Sequence, residues 1–175
     1  MRIVNTVSDS IVDGPGLRFT VFTQGCRHRC PGCHNPETHS FDGGRQVPVA
    51  ELVRQMRANP LTTGLTLSGG DPMEQAKECA ALAAAARADG LDVWTYTGYT
   101  YEQLLRQGDP DRFALLEQTD VLVDGPFVAA EASYDALFRG SRNQRLIDLN
   151  ATRRTGRLTL WQRPDPLSHF TKPES

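Results

Sequence analysis

Gly64-Leu65-Thr66-Leu67-Ser68-Gly69-Gly70-Asp71-Pro72-Met73-Glu74, followed by an alanine-rich run that ends at Asp89-Gly90, is the stretch that decides the architecture. Gly64 to Leu67 reads as a short strand and Ser68 to Pro72 as the turn that follows it. Asp71 is placed to cap a helix with Pro72 in its first position and Glu74 in its third, and Gly90 supplies the stop. Strand, glycine-rich turn and helix together make one β/α unit.

The unit recurs on both sides. Leu91 to Thr97 reads as a strand, Tyr101 to Gln107 and Phe113 to Gln118 as helices, and Val121-Leu122-Val123 as the next strand. Upstream, Leu17 to Phe22 is rich in β-branched and aromatic residues and runs into Gln24-Gly25. After Pro48, apolar Val49, Leu52, Val53 and Met56 fall at i, i+3, i+4 and i+7, the spacing of one helical face. Arg145 to Leu149 and Arg157 to Trp161 are expected to add strands. This alternation predicts an α/β fold with a mostly parallel sheet. A complete eightfold β/α barrel takes about 250 residues; with 175 residues the expectation is a partial, open barrel. It forms a single domain over 1–162, and 163–175, with Pro164, Pro166 and Pro173, reads as a C-terminal tail.

Composition narrows the function. Hydrophobic residues make 39% and charged residues 23% of the chain, as in ordinary soluble proteins. The 19 Lys and Arg are outnumbered by 21 Asp and Glu, so the basic surplus that phosphate backbones demand is missing and no nucleic-acid partner is expected. No apolar run approaches the roughly 20 residues needed to span a bilayer, and the first residues lack a signal-peptide core. No membrane partner and a cytoplasmic location are the expectations. Thiols stay reduced there, so Cys26, Cys30 and Cys33, crowded into one loop, read as metal or cluster ligands rather than a disulfide framework. Cys79 stands alone among alanines and reads as a small buried hydrophobe.

The cysteine loop runs Gly25-Cys26-Arg27-His28-Arg29-Cys30-Pro31-Gly32-Cys33-His34-Asn35-Pro36. Three soft thiolates at C-x3-C-x2-C spacing can converge on a soft metal centre. A [4Fe-4S] cluster normally takes four cysteines, so three leave one iron with open coordination sites. A structural zinc with His28, His34 or His39 as fourth ligand fits the same spacing equally well. Taken singly, His28 and His39 read as loop residues.

Context separates the two. Asp13-Gly14-Pro15-Gly16-Leu17-Arg18, the cysteine loop with its trailing His34-Asn35-Pro36, and Ser68-Gly69-Gly70-Asp71-Pro72 together resemble the radical S-adenosylmethionine superfamily, and within it the glycyl-radical-enzyme activases. Trp94 to Tyr99, Val123 to Phe127 and Arg139 to Arg145 are similar to the branch whose partner is the catalytic subunit of an anaerobic ribonucleoside-triphosphate reductase. The resemblance implies a [4Fe-4S] cluster on Cys26, Cys30 and Cys33, with S-adenosyl-L-methionine at the open iron. One electron from the cluster cleaves the carbon-sulfur bond, releasing methionine and a 5'-deoxyadenosyl radical that takes hydrogen from a glycine of the reductase. A reduced flavodoxin-like protein is the implied electron donor. An activase of another glycyl radical enzyme and a zinc-binding interaction module are the alternatives.

The resemblance also implies site residues. Gly69 and Gly70 let backbone groups approach the methionyl end of the cofactor, and Asp71, where many relatives carry Glu, accepts from its ammonium group or caps the following helix. Gly32 stands where the family often places an aromatic residue, so contact with adenine passes to the backbone of Gly32, Cys33 and His34 and to the His34 ring. Arg139, Asn143 and Gln144 are expected to receive the partner's glycine loop. Arg142 departs from a serine common among relatives.

Overall fold

In the computed structural model, residues 1–133 and 135–163 are described. The expected tail lies outside the described residues from 164 onward.

Alternation along the strands sets the architecture. The first strand, β1 (Arg2–Ser10), pairs antiparallel with β2 (Arg18–Thr23). The short β3 (Arg45–Gln46) joins the other edge of β1 and leads to α1 (Val49–Ala58). The central unit follows as β4 (Gly64–Gly69), a 3₁₀ turn at Pro72–Gln75 and α2 (Ala76–Ala88). Next come β5 (Asp92–Tyr96), α3 (Tyr101–Gln107), α4 (Pro110–Gln118), β6 (Val121–Asp124), β7 (Arg145–Asp148) and α5 (Leu149–Thr155). Among the described residues these strands form one seven-stranded sheet in the order β3-β1-β2-β4-β5-β6-β7.

The parallel core is β2-β4-β5-β6. Both flanks are antiparallel, which the helix-strand alternation did not predict: β1 returns through the loop 11–17, and β7 pairs with β6 after a long excursion from 125 to 144 with no crossover α-helix among its described residues. Arg157 to Trp161 is not a strand. Its contact with the sheet is a single bridge between Leu160 and Ile147, with Trp161 N donating to Leu146 O. The expected strand at Arg145 ends one residue early because Asp148 caps α5, accepting from Ala151 N.

The helix-facing side of the sheet is apolar. Phe19, Val21, Leu65, Leu67, Val93, Leu122 and Ile147 pack there with Leu52, Met56, Leu82, Leu104 and Leu115 of the helices, and with Cys79. Small residues on α2 (Ala76, Ala83, Ala86) are buried in the same core. The alternate residues face the other side, where Trp94, Val121, Val123 and Leu146 form a second cluster with Tyr96, Phe138 and Trp161.

One charge lies inside this second side. The fully buried Arg18 guanidinium donates to Thr66 Oγ1 (2.6 Å), Leu65 O (2.8 Å), Pro15 O (3.0 Å) and the Asp92 carboxylate (3.0 and 3.2 Å). Its Nε, Nη1 and Nη2 thus fasten the start of β2 to β4 and β5. Asp92 keeps 42% of its side chain in water. Arg18→Ala therefore lowers unfolding free energy by about 3 kcal/mol, at the low end for breaking a buried pair, as read by urea denaturation.

Candidate functional site

Because β2, β4, β5 and β6 are parallel, the loops at their carboxyl ends meet on one edge of the sheet. Glycine makes the meeting close. Gly69 has φ +99 and Gly70 packs on the preceding loop, so that a Cβ on either collides with backbone, Thr23 N at Gly69 and Gly25 O at Gly70. The Gly70 amide donates to Thr23 O (2.8 Å) and the Asp71 amide to Gly25 O (2.9 Å). The cysteine loop is held from its other side as well, Gly25 N donating to Thr38 O (2.8 Å) and Cys26 N to His39 O (3.2 Å). Gln75 Nε2 bridges Arg2 O (2.7 Å) and Gln24 O (2.8 Å).

These loops enclose a cavity of about 360 Å³. Cys26, Cys30, Cys33 and His34 form one wall, Ser68, Gly69 and Gly70 a second, and Tyr96, Thr97, Gly98, Gly125 and Phe127 a third. Arg139, Gly140 and Gln144 close the rim, and Val12, Asp13 and Phe22 line it as well. Of the residues singled out from sequence, Gly32, Asp71 and Asn143 do not line the cavity. Gly32 sits at φ +74 beside Phe127 and Ala129. Asp71 is fully buried: Oδ1 accepts from Met73 N (2.9 Å), capping the 3₁₀ turn Pro72–Gln75 rather than α2 itself as expected, and Oδ2 accepts from Thr97 Oγ1 (3.0 Å) and Gly98 N (3.0 Å). Asn143 reaches Pro126 O through Nδ2 (2.8 Å).

All three loop cysteines are free thiols. Burial pushes the Cys26 thiol up, with the Asp71 charge adding to it, while the amides of His28 and Arg29 pull the other way. Asn35 N donates to Cys33 Sγ (3.4 Å). Sulfurs ringed by amides are what a cluster ligand needs. Among the described residues no three His, Cys, Asp or Glu side chains converge tightly enough to ligate a single metal ion. A zinc centre requires that convergence; a cubane does not, because each thiolate takes a separate iron corner. His34 packs on Phe127 with ring centroids 4.8 Å apart and His28 on Tyr99 at 4.4 Å, contacts that orient the rings and leave their nitrogens uncommitted. Three thiols along one cavity wall fit a cluster that takes one thiolate per iron corner.

Sequence reading missed Phe22 and Ser68, although both follow from counting alternate residues along β2 and β4. Asp13 opens the motif that runs to Arg18, but its place at the cavity depends on long-range contacts that spacing does not give. The loop 11–17 folds back under the sheet so that Asp13 Oδ2 accepts from Ser10 Oγ (2.5 Å) and Thr20 Oγ1 (3.1 Å), and Asp13 O accepts from Thr66 Oγ1 (2.9 Å).

Comparison with known proteins identifies the fold's lineage. Residues 12–147 match the family described as 4Fe-4S single cluster domain. An anaerobic ribonucleoside-triphosphate reductase-activating protein of Vibrio cholerae is 40% identical over 143 residues, 77% of this chain and 89% of the relative. The chain belongs to the anaerobic ribonucleoside-triphosphate reductase-activating protein family. The activating proteins of Escherichia coli K12 and of Enterobacteria phage T4 are each 35% identical, over 77% of this chain and 90% and 86% of their own lengths. The matched region of this family carries every element that lines the cavity.

Beside the site, Arg145 donates to Asp124 (2.9 Å from Nε) and to both oxygens of Glu102 (3.0 and 2.8 Å), tying β6, β7 and α3 together. Arg145 holds the Glu102 carboxyl down at about 2, from an ordinary 4.5. The folded chain thus binds this proton less readily than the unfolded chain, so the stabilisation is complete above pH 4.5 and is lost as pH falls toward 2. With Glu102 about half exposed, the contribution is about 1 kcal/mol or less. Chemical denaturation across that window is expected to show a shallower acid loss for Glu102→Gln than for the parent. A second expectation concerns the braid: Gly70→Ala destabilises the chain by about 2 kcal/mol, the cost of overpacking against backbone, measured in the same way.

Proposed function

We propose that this chain activates an anaerobic ribonucleoside-triphosphate reductase by generating a glycyl radical on it, with Cys26, Cys30 and Cys33 holding a [4Fe-4S] cluster and S-adenosyl-L-methionine bound beside it. The observation that carries this reading is three free thiols opening onto one cavity in a member of the activating-protein family, with no fourth cysteine lining it among the described residues. When bound, the cluster supplies the electron for reductive cleavage of S-adenosyl-L-methionine.

The chain's own residues hold, orient and exclude. Gly69 and Gly70 present backbone without side chains toward the space next to the thiols, which suits the methionyl end of the cofactor. The backbone of Cys33 and His34, with Gly32 behind them, and the His34 ring, packed on Phe127, offer edge and face to adenine. Asp71 has its oxygens committed to Met73, Thr97 and Gly98 and supports the turn from behind. Arg139 and Gln144 form a rim bonded to itself, with Asn143 behind it on Pro126 O: Arg139 Nη1 donates to Gln144 O (3.0 Å), and Gln144 Oε1 accepts from Gly140 N (2.9 Å). Arg139 Nε and Asn143 Oδ1 are buried and unpartnered, a donor and an acceptor that a glycine loop of the partner would reach only with a shift of the rim. The linear strand order, ending at β3 and β7, supports a partial β/α barrel open between those edges, and an open flank suits a protein substrate.

Arg29 is exposed on the cysteine loop and Arg27 beside it is paired with Glu74; the exposed Arg29 suits an acidic donor such as a reduced flavodoxin-like protein. A reducing cytoplasm preserves such thiols.

Anaerobic reconstitution is expected to load about four iron and four sulfide per chain. Incubation with reductase, S-adenosyl-L-methionine and reductant then yields a glycyl-radical signal in electron paramagnetic resonance. Cys30→Ala is expected to lose both the cluster and the signal. Zinc in place of iron and sulfide overturns the proposal.

A further inference from the structure

The cysteine loop is tied down at its ends, and its middle carries two side-chain fastenings: the exposed Arg27, whose Nε donates to Glu74 Oε2 (2.6 Å), and the inward-turned His28. Among the described residues, 27–29 make no backbone-to-backbone hydrogen bond to another part of the chain, although they connect the first two cysteines. His28, which reads from sequence as an unremarkable loop residue, is turned inward. Its imidazole lies edge-on to Tyr99, and its Nε2 is 3.0 Å from Asp71 Oδ2, off the axis of a linear hydrogen bond and with no other partner. Only 18% of the side chain is exposed.

The surface beneath it is made for the ring. Gly98 has no side chain, and a Cβ built there collides with His28 Cδ2. Gly98 N donates to the same Asp71 oxygen that faces the imidazole, as does Thr97 Oγ1. Tyr99 is fixed in turn, its hydroxyl donating to Glu74 Oε1 (2.6 Å) and its ring lying 4.4 Å under the Arg112 guanidinium. His28 therefore meets a rigid socket built from the loops after β4 and β5.

We infer that His28 is a positioning residue for the metal-binding loop: seated in the socket of Asp71, Gly98 and Tyr99, it holds the span between Cys26 and Cys30 in the shape that retains the cluster. The inference rests on the assignment of the three cysteines as ligands. It uses the side chain's shape and one donor, not its charge. The amides of His28 and Arg29 that face Cys26 belong to the same span, so the seat also sets how that sulfur is solvated.

Iron release from the reconstituted protein to an excess of a ferrous chelator tests this without any turnover. His28→Ala is expected to release iron at least fivefold faster than the parent. His28→Gln, which keeps a neutral donor near the Nε2 position, is expected to restore most of the retention. Gly98→Ala, which leaves His28 intact but fills its seat, is expected to match His28→Ala, and the double variant to be no worse than either single one. Thermal unfolding of the metal-free proteins serves as the fold control. Parent-like release by His28→Ala overturns the inference, as does a glutamine variant no better than alanine, or additive losses in the double variant. A parent chain that takes up no iron and sulfide instead defeats the ligand assignment on which the inference stands.

Discussion

Two backbone hydrogen bonds, Gly70 N to Thr23 O and Asp71 N to Gly25 O, press the turn after β4 against the loop after β2, and the site depends on that closeness. No side chain fits between the two strands' ends, which is why glycines occupy Gly69 and Gly70. The thiols and the glycine turn thereby become adjacent walls of one cavity. Asp71 extends the same bracing to the loop after β5, so three carboxyl-end loops are tied to one another. The chemistry is then left to what occupies the cavity, and the chain supplies fixed geometry.

The sheet is specialised by side. Its helix-facing residues are apolar and carry the packing, whereas the alternate residues on the same strands include Arg18, Thr20, Thr66, Ser68 and Tyr96. A polar sheet face buried under loops costs stability unless its groups are paired. Here they are paired with one another and with the folded-back loop 11–17, as Arg18 and Asp13 show. The cavity opens above this ordered polar floor, and the carboxyl ends of the strands deliver the working loops to it.

Much of this was legible in local pattern. The unit from Gly64 to Gly90, the caps at Asp71 and Gly90 and the three thiols on one loop follow from spacing and turn chemistry alone. Elements without local pattern escaped: β1 buries only Ile3 and Ser10, so no alternation marks it, and β3 is two residues long. The helix α5 carried a readable signal, Asp148 as cap and Gly156 at φ +67 as stop, masked by the strand-like residues on either side. What spacing could not supply was long-range partnership. Asp71 reads as a helix cap, yet two of its three hydrogen-bond donors come from Thr97 and Gly98, and the role of His28 exists only because those residues are brought beneath it.

The central claim is that three thiolates hold a cluster with one iron left for S-adenosyl-L-methionine. Mössbauer spectroscopy of the chain reconstituted anaerobically with ⁵⁷Fe, recorded with and without S-adenosyl-L-methionine, tests it most directly. The account predicts that one iron site in about four changes its isomer shift when the cofactor is added while the others keep theirs. Four sites with spectra unmoved by the cofactor contradict it.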